Sequence, residues 1–154
     1  MVISKKVGNM KHILVMIVAL AFSAPVLAHD EEAAVKAAVM DYALAFYKGE
    51  PERLERSVWK NLSKRGFWRN NPEAKWTDVL TMSFDQATAL SKTYYKSLPA
   101  DIADPVIRIF EVSEKIATAR VDAQWGFDYV QLAKMDGKWM IINVLWQAKE
   151  AEGE

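Results

Sequence analysis

The chain has 154 residues, 51% apolar and 26% charged, with 20 basic and 20 acidic side chains and no cysteine. That length suits one domain with one core. Disulfides and lipid attachment through Cys are excluded, and so balanced a charge offers no basic surface to follow a phosphate backbone, so no nucleic-acid partner is expected.

The first stretch reads as a leader. Lys5, Lys6 and Lys11 precede an unbroken apolar run, Ile13 to Phe22, that is too short to span a bilayer. Ser23 to Ala28 is a small-residue segment with Val26 and Ala28 where a signal peptidase wants them. Residues 1–28 are therefore expected to be an export signal cut after Ala28, which places the mature protein in the periplasm or outside the cell. Cleavage removes three lysines and no acids, leaving 17 basic against 20 acidic residues, a net charge of −3. No membrane association is expected after that cut.

Residues 29–147 are the expected folded domain. Asp30, Glu31 and Glu32 suit a helix N-terminus. Val35, Ala38, Val39, Tyr42 and Phe46 then fall on one helical face, and Gly49 follows as a stop. Pro51 opens a second predicted helix with Leu54, Val58 and Leu62 as its stripe, ending near Arg65-Gly66. Phe67-Trp68 fits a short strand and Asn70-Asn71-Pro72 a turn. Residues 76–82 are ambiguous between strand and loop. Ser83 to Gln86 is a capping box for a third helix, whose stripe is Phe84, Ala87, Leu90, Ser91, Tyr94 and Leu98. Pro99 ends it, and a linker runs to Pro105.

From Val106 the apolar period changes to two. Strands are predicted at 106–112 and 116–124, with a tight turn or bulge at Trp125-Gly126. Asp136-Gly137 is a two-residue hairpin signal. Counting outward from it places Asp128, Val130, Leu132, Ile141, Asn143 and Leu145 on one face. The opposite face carries Phe127, Tyr129, Gln131, Ala133, Met140, Ile142, Val144 and Trp146. Both faces are largely apolar, so both need cover. Residues 148–154 read as a charged, frayed tail. Helices first and strands afterwards give an α+β expectation: three N-terminal helices packed on a curved antiparallel four-stranded meander, with a conical pocket between.

The order of elements and the motif Asp136-Gly137-Lys138-Trp139-Met140-Ile141-Ile142-Asn143-Val144, with Asn61 to Arg65, Met82-Ser83 and Phe127-Asp128-Tyr129, resemble the nuclear transport factor 2-like superfamily. Within it, the chain is most similar to the putative lumazine-binding family of small bacterial domains, over roughly residues 31–146. The resemblance implies a cone-shaped α+β fold that often dimerises through its sheet. It says little about activity, since the superfamily holds isomerases, dehydratases and cyclases beside non-catalytic binding domains. Where family members often carry a His-Pro pair before Lys-Arg, this chain has Trp59-Lys60.

The chemistry available is narrow. His12 and His29 are the only histidines, and His12 leaves with the leader. That excludes Ser-His-Asp and Cys-His nucleophilic sites and ordinary zinc sites. No catalytic set, cofactor or metal is expected. Asp128, on an otherwise apolar face, must be paired or perturbed. It could serve as an acid–base group, or it could accept from backbone N–H groups at the Trp125-Gly126 turn or pair with Arg120. Asn143 offers a donor and an acceptor on the same predicted face. Tyr42, Phe46, Trp59, Tyr94 and Trp125 are candidate pocket-lining aromatics. Lys64-Arg65 could attract an anion or simply cap the end of the second helix. The second hairpin face, with Tyr129, Ile142, Val144 and Trp146, would be buried by the chain or by a second copy; the superfamily resemblance favours a homodimer.

The leading expectation is a periplasmic, non-catalytic module binding a small apolar or heteroaromatic ligand through Tyr42, Phe46, Trp59, Tyr94, Trp125, Asp128 and Asn143. The alternatives are an isomerase- or dehydratase-type enzyme using Asp128, and a structural or assembly domain whose cone is filled by its own side chains.

Overall fold

The structure, a computed structural model, describes residues 24–149 apart from Pro72, with side chains from Asp30 onward. Most of the expected leader therefore lies outside the described residues, as do residues 150–154. Helix α1 (Ala24–Lys48) buries Val35, Val39, Tyr42, Ala43 and Phe46 on the face the sequence pattern marks. It begins ahead of the Asp30 to Glu32 start that the acids predict, and Glu31, about two turns in, ties it to the sheet by accepting from Lys134 Nζ at 2.5 Å and Trp139 Nε1 at 2.8 Å.

The second helix is shorter than its apolar spacing predicts. Helix α2 covers only Glu52–Ser57, and strand β1 (Val58–Phe67) takes over where the helix was expected to continue. Leu54, Val58 and Leu62 satisfy a helical period, but Leu62, Lys64 and Gly66 alternate inward as a strand requires. A lysine at the middle inward position hides that alternation in the sequence. The predicted strand at Phe67-Trp68 is the end of β1.

After β2 (Leu80–Met82), the capping box at Ser83 forms as expected: Gln86 N–H donates to Ser83 Oγ and Ser83 N–H to Gln86 Oε1. Helix α3 (Phe84–Tyr94) continues into one 3-10 turn, Tyr95–Ser97, just before Pro99. Strands β3 (Val106–Val112), β4 (Ile116–Ala123), β5 (Gly126–Met135) and β6 (Lys138–Ala148) form the meander. The hairpin tip has φ of +49° at Asp136 and +77° at Gly137, the paired positive values of a type I′ turn.

The sheet has six strands rather than four, in the order β2-β1-β6-β5-β4-β3. β1 joins parallel to β6, and every other neighbour pair is antiparallel. Helices α1 and α3 pack on one face over Val121, Val130, Leu132, Ile141 and Val144. Each such aliphatic side chain contributes about 1.5–3 kcal/mol by leaving water.

The register of β5 with β6 departs from the simple count. Met135 faces Lys138 as expected, but the pairing shifts between Gln131 and Leu132, which face Asn143 and Ile141. Ile142 is the extra residue of a β-bulge, and one extra residue exchanges the faces beyond it. Asp128 thus stands opposite Trp146, not Leu145. Val144 and Trp146 turn toward the helices, while Asn143 and Leu145 turn away. Ala148 is not frayed: it is buried and pairs with Gly126. Among the described residues, no helix is long and apolar enough to cross a membrane.

Candidate functional site

Under α1 and α3 the sheet leaves a cavity of about 200 Å³. Tyr42 and Phe46 come to it from α1, and Leu90 and Tyr94 from α3. The sheet supplies Lys64 from β1, Met82 from β2 and Trp146 from β6, while Trp68 and Trp125 stand at the ends of strands. Edge-to-face contacts hold the aromatic wall: Phe46 meets Tyr42 at 5.5 Å, Trp125 at 5.6 Å and Tyr94 at 6.3 Å between ring centres. Trp125 also meets Tyr94 at 5.8 Å. Such pairs are worth about 0.5–1.5 kcal/mol each beyond burial, so the wall is stiff.

A charged network lies beneath this wall. Asp128 is fully buried and Lys64 is 7% exposed. Tyr42 O–H donates to Asp128 Oδ2. Lys64 Nζ donates to Tyr42 Oη at 2.6 Å and to Asp128 Oδ2 at 3.2 Å. Trp125 Nε1 donates to Asp128 Oδ1 at 2.7 Å. The carboxylate is therefore satisfied on both oxygens by side chains, and neither backbone N–H groups nor Arg120 serve it. Arg120 lies on the outer face with Asp122, at 2.6 Å.

Burial pushes the Tyr42 hydroxyl well above the ordinary tyrosine range, and the neighbouring Asp128 charge adds to it. Burial also lowers the Lys64 ammonium from its ordinary value, against the pull of Asp128. Tyr94 is raised, by burial first and then by Tyr47 and Asp128. The Lys64 ammonium also sits 5.4 Å from the Trp146 ring centre, where the indole offsets part of its lost hydration.

Gly66 makes room for this arrangement. A Cβ there would come within 2.3 Å of Trp146 O and 2.4 Å of its indole ring, so only glycine lets Trp146 lie flat on β1. The Trp146 indole N–H is buried and has no acceptor.

Of the residues picked from sequence, Tyr42, Phe46, Tyr94 and Trp125 line the cavity, and Asp128 supports its floor. Two do not belong. Trp59 is 40% exposed on β1 and does not line the cavity; the register of β1 on β6 shifts between Val58 and Ser63. Asn143 is carried to the outer face by the bulge at Ile142 and donates to Gln131 Oε1 at 3.0 Å. Trp68, Met82, Leu90 and Trp146 are lining residues that sequence reasoning missed, and Lys64, weighed there only as an anion site or a helix end, lines the cavity too. The inward series Leu62, Lys64, Gly66 is the one signal that could have found Lys64; nothing local marks the bulge that brings Trp146 in.

A wider hollow of about 320 Å³ lies beside the first, between Ser63 to Arg65, Thr81 and the start of α3. Ser83 and Gln86 are engaged in the helix cap there and Ser63 with Arg65, while Lys64 and Met82 line both hollows. Among the described residues no cluster of three or more His, Cys, Asp or Glu side chains is placed to hold a metal ion.

Comparison with solved structures gives the same fold repeatedly. A nuclear transport factor 2-like protein of unknown function from Silicibacter pomeroyi matches with a TM-score of 0.61 and 24% identity, over 79% of this chain and 98% of that one. Another of unknown function, from Shewanella baltica, gives 0.54 and 19% over 76% and 92%. A ketosteroid isomerase-like protein from Erwinia carotovora atroseptica gives 0.50 and 14% over 79% and 98%. These likenesses establish the fold alone. No curated protein matches the chain. The family model described as "Putative lumazine-binding" matches residues 30–147, which take in all of the sheet and helices but the start of α1 and the last residue of β6. The chain belongs to that family, with the nuclear transport factor 2-like fold.

Proposed function

We propose that the protein is a non-catalytic binding module for a small, flat, neutral heteroaromatic molecule. The observation that carries this is the aromatic cavity closed at its floor by the Lys64–Asp128–Tyr42 network. A volume of about 200 Å³ lies below the ~300–1,000 Å³ of pockets for drug-sized ligands, so it suits a one- or two-ring molecule. The charges of Lys64 and Asp128 cancel, which favours a neutral occupant. The family description points to the same class of ligand, a lumazine.

The floor also argues against acid–base work. A general base needs a lone pair within reach of the substrate proton, and Asp128 is fully buried and does not line the cavity. An isomerase-type enzyme is the second reading, favoured by the buried Tyr42–Asp128 pair. It requires the cavity floor to open until substrate reaches Asp128.

Two further parts of the proposal concern surroundings. The leader in residues 1–28 supports a periplasmic or secreted location. The cut after Ala28 would fall within the first turns of α1, ahead of Val35, the first buried residue described on that helix. The outer sheet face supports a homodimer: Phe110, Tyr129 and Leu145 are exposed there, with Phe110 and Tyr129 rings 6.2 Å apart.

The test is titration of the purified protein with lumazine, followed by tryptophan fluorescence. Saturable quenching that is lost in Tyr94→Ala supports the module. Absence of quenching by lumazine at its solubility limit contradicts it.

A further inference from the structure

The hydrogen-bonding groups of the cavity are unevenly spent. Asp128 accepts on both oxygens, and Tyr42 has given its only proton to Asp128 while accepting from Lys64. Asp128, moreover, is fully buried and does not line the cavity. Of the donors, Tyr42 O–H and Trp125 N–H are spent on Asp128, and Lys64 has one to spare. An ammonium carries three N–H bonds, and Lys64 directs its bonds to two partners, Tyr42 and Asp128. The Trp146 indole N–H also lacks an acceptor, but it is buried from any water-sized contact and so lies out of a ligand's reach.

We infer that the cavity selects its ligand by the ligand's acceptors: the occupant presents a carbonyl or ring nitrogen to Lys64 Nζ and needs no donor of its own there. This rests on the binding-module reading and narrows it to flat molecules with an acceptor edge. The wall supplies affinity without selectivity, since edge-on and face-on aromatic contact accepts any ring. Selectivity then comes from that one donor, because a ligand lacking an acceptor leaves its N–H unpaired.

Three neutral two-ring probes separate the possibilities: coumarin, which only accepts; indole, which donates through its N–H; and naphthalene, which does neither. Affinities are measured by calorimetry or by ligand-observed NMR on the wild type, Lys64→Met and Trp146→Phe. The readout is the ratio of coumarin to naphthalene affinity within each protein, which cancels any general loosening of the cavity. The expected result is a ratio that falls about tenfold in Lys64→Met, as loss of one hydrogen bond to a charged donor predicts, and holds in Trp146→Phe. A ratio unchanged in Lys64→Met, a ratio that falls as far in Trp146→Phe, or an indole-to-naphthalene ratio that falls in parallel with coumarin's overturns the inference while leaving the cavity as a binding site. Failure of all three probes and of lumazine to bind the wild type overturns the binding-module reading itself.

Discussion

Replacing Asp128 with alanine strands three groups at once. The Lys64 ammonium, 7% exposed, keeps only Tyr42 as a partner, and the Tyr42 O–H and Trp125 N–H lose their acceptor. Breaking a buried ion pair by removing one partner costs about 3–5 kcal/mol, a large share of the ~5–15 kcal/mol that holds a domain together. Lys64→Met is milder. It leaves Asp128 with the donors Tyr42 and Trp125, so we expect about 1–3 kcal/mol. The double variant carries no stranded ammonium, so its loss falls short of the sum of the singles by about 2 kcal/mol. Urea unfolding followed by far-ultraviolet circular dichroism measures all four proteins without depending on the tryptophans near the site. An Asp128→Ala loss under about 1 kcal/mol, or strict additivity in the cycle, would refute the network as described.

Other consequences follow from neighbouring groups. Tyr42 ionises above its unfolded value of 10.0 when folded. Between those two points the unfolded chain holds fewer protons, so the Tyr42 contribution is intact below pH 10.0 and is lost as pH rises beyond it. The stability difference between wild type and Tyr42→Phe is expected to shrink above that pH, and a constant difference contradicts it. Lys64 acts oppositely: its folded value lies below 10.5, so its burial penalty is relieved as pH rises toward 10.5. Gly66→Ala forces its methyl into Trp146 and is expected to cost about 1–3 kcal/mol by overpacking, together with a shifted tryptophan emission; an unshifted spectrum argues against the close approach. Asn143→Ala, on the outer face, is expected to leave lumazine affinity within about twofold, the ordinary effect of a distant surface change. A tenfold loss would return Asn143 to the site.

Much of this fold is legible in the sequence because local signals agree with the global answer. The Ser83–Gln86 box, Pro99 and Asp136-Gly137 each name a boundary, and each is where the structure has it; the α1 stripe names the buried face, although the helix begins at Ala24, ahead of the acids expected at its start. The failures share a cause: each turns on a residue that breaks a periodic pattern for a functional or topological reason. Lys64 occupies an inward strand position that hydrophobic patterning reserves for an apolar side chain, so β1 reads as more of α2. Ile142 bulges within Met140 to Val144, a run whose apolar members give no sign of which residue is extra. That one bulge sends Asn143 outward and Trp146 inward, so a site inferred from face-counting gains a wrong amide and loses the right indole. The parallel pairing of β1 with β6 is likewise invisible locally, since it joins segments about eighty residues apart, Val58 with Ile141 among them.

The claim on which the account turns is that the floor of Lys64, Asp128 and Tyr42 faces a cavity that a flat ligand enters. Indole N–H resonances of the six tryptophans, followed by NMR while lumazine is added, test it directly. The account predicts saturable shifts at Trp125 and Trp146 and none at Trp59, which stands outside the cavity. Still resonances at Trp125 and Trp146, or movement at Trp59 alone, would contradict it.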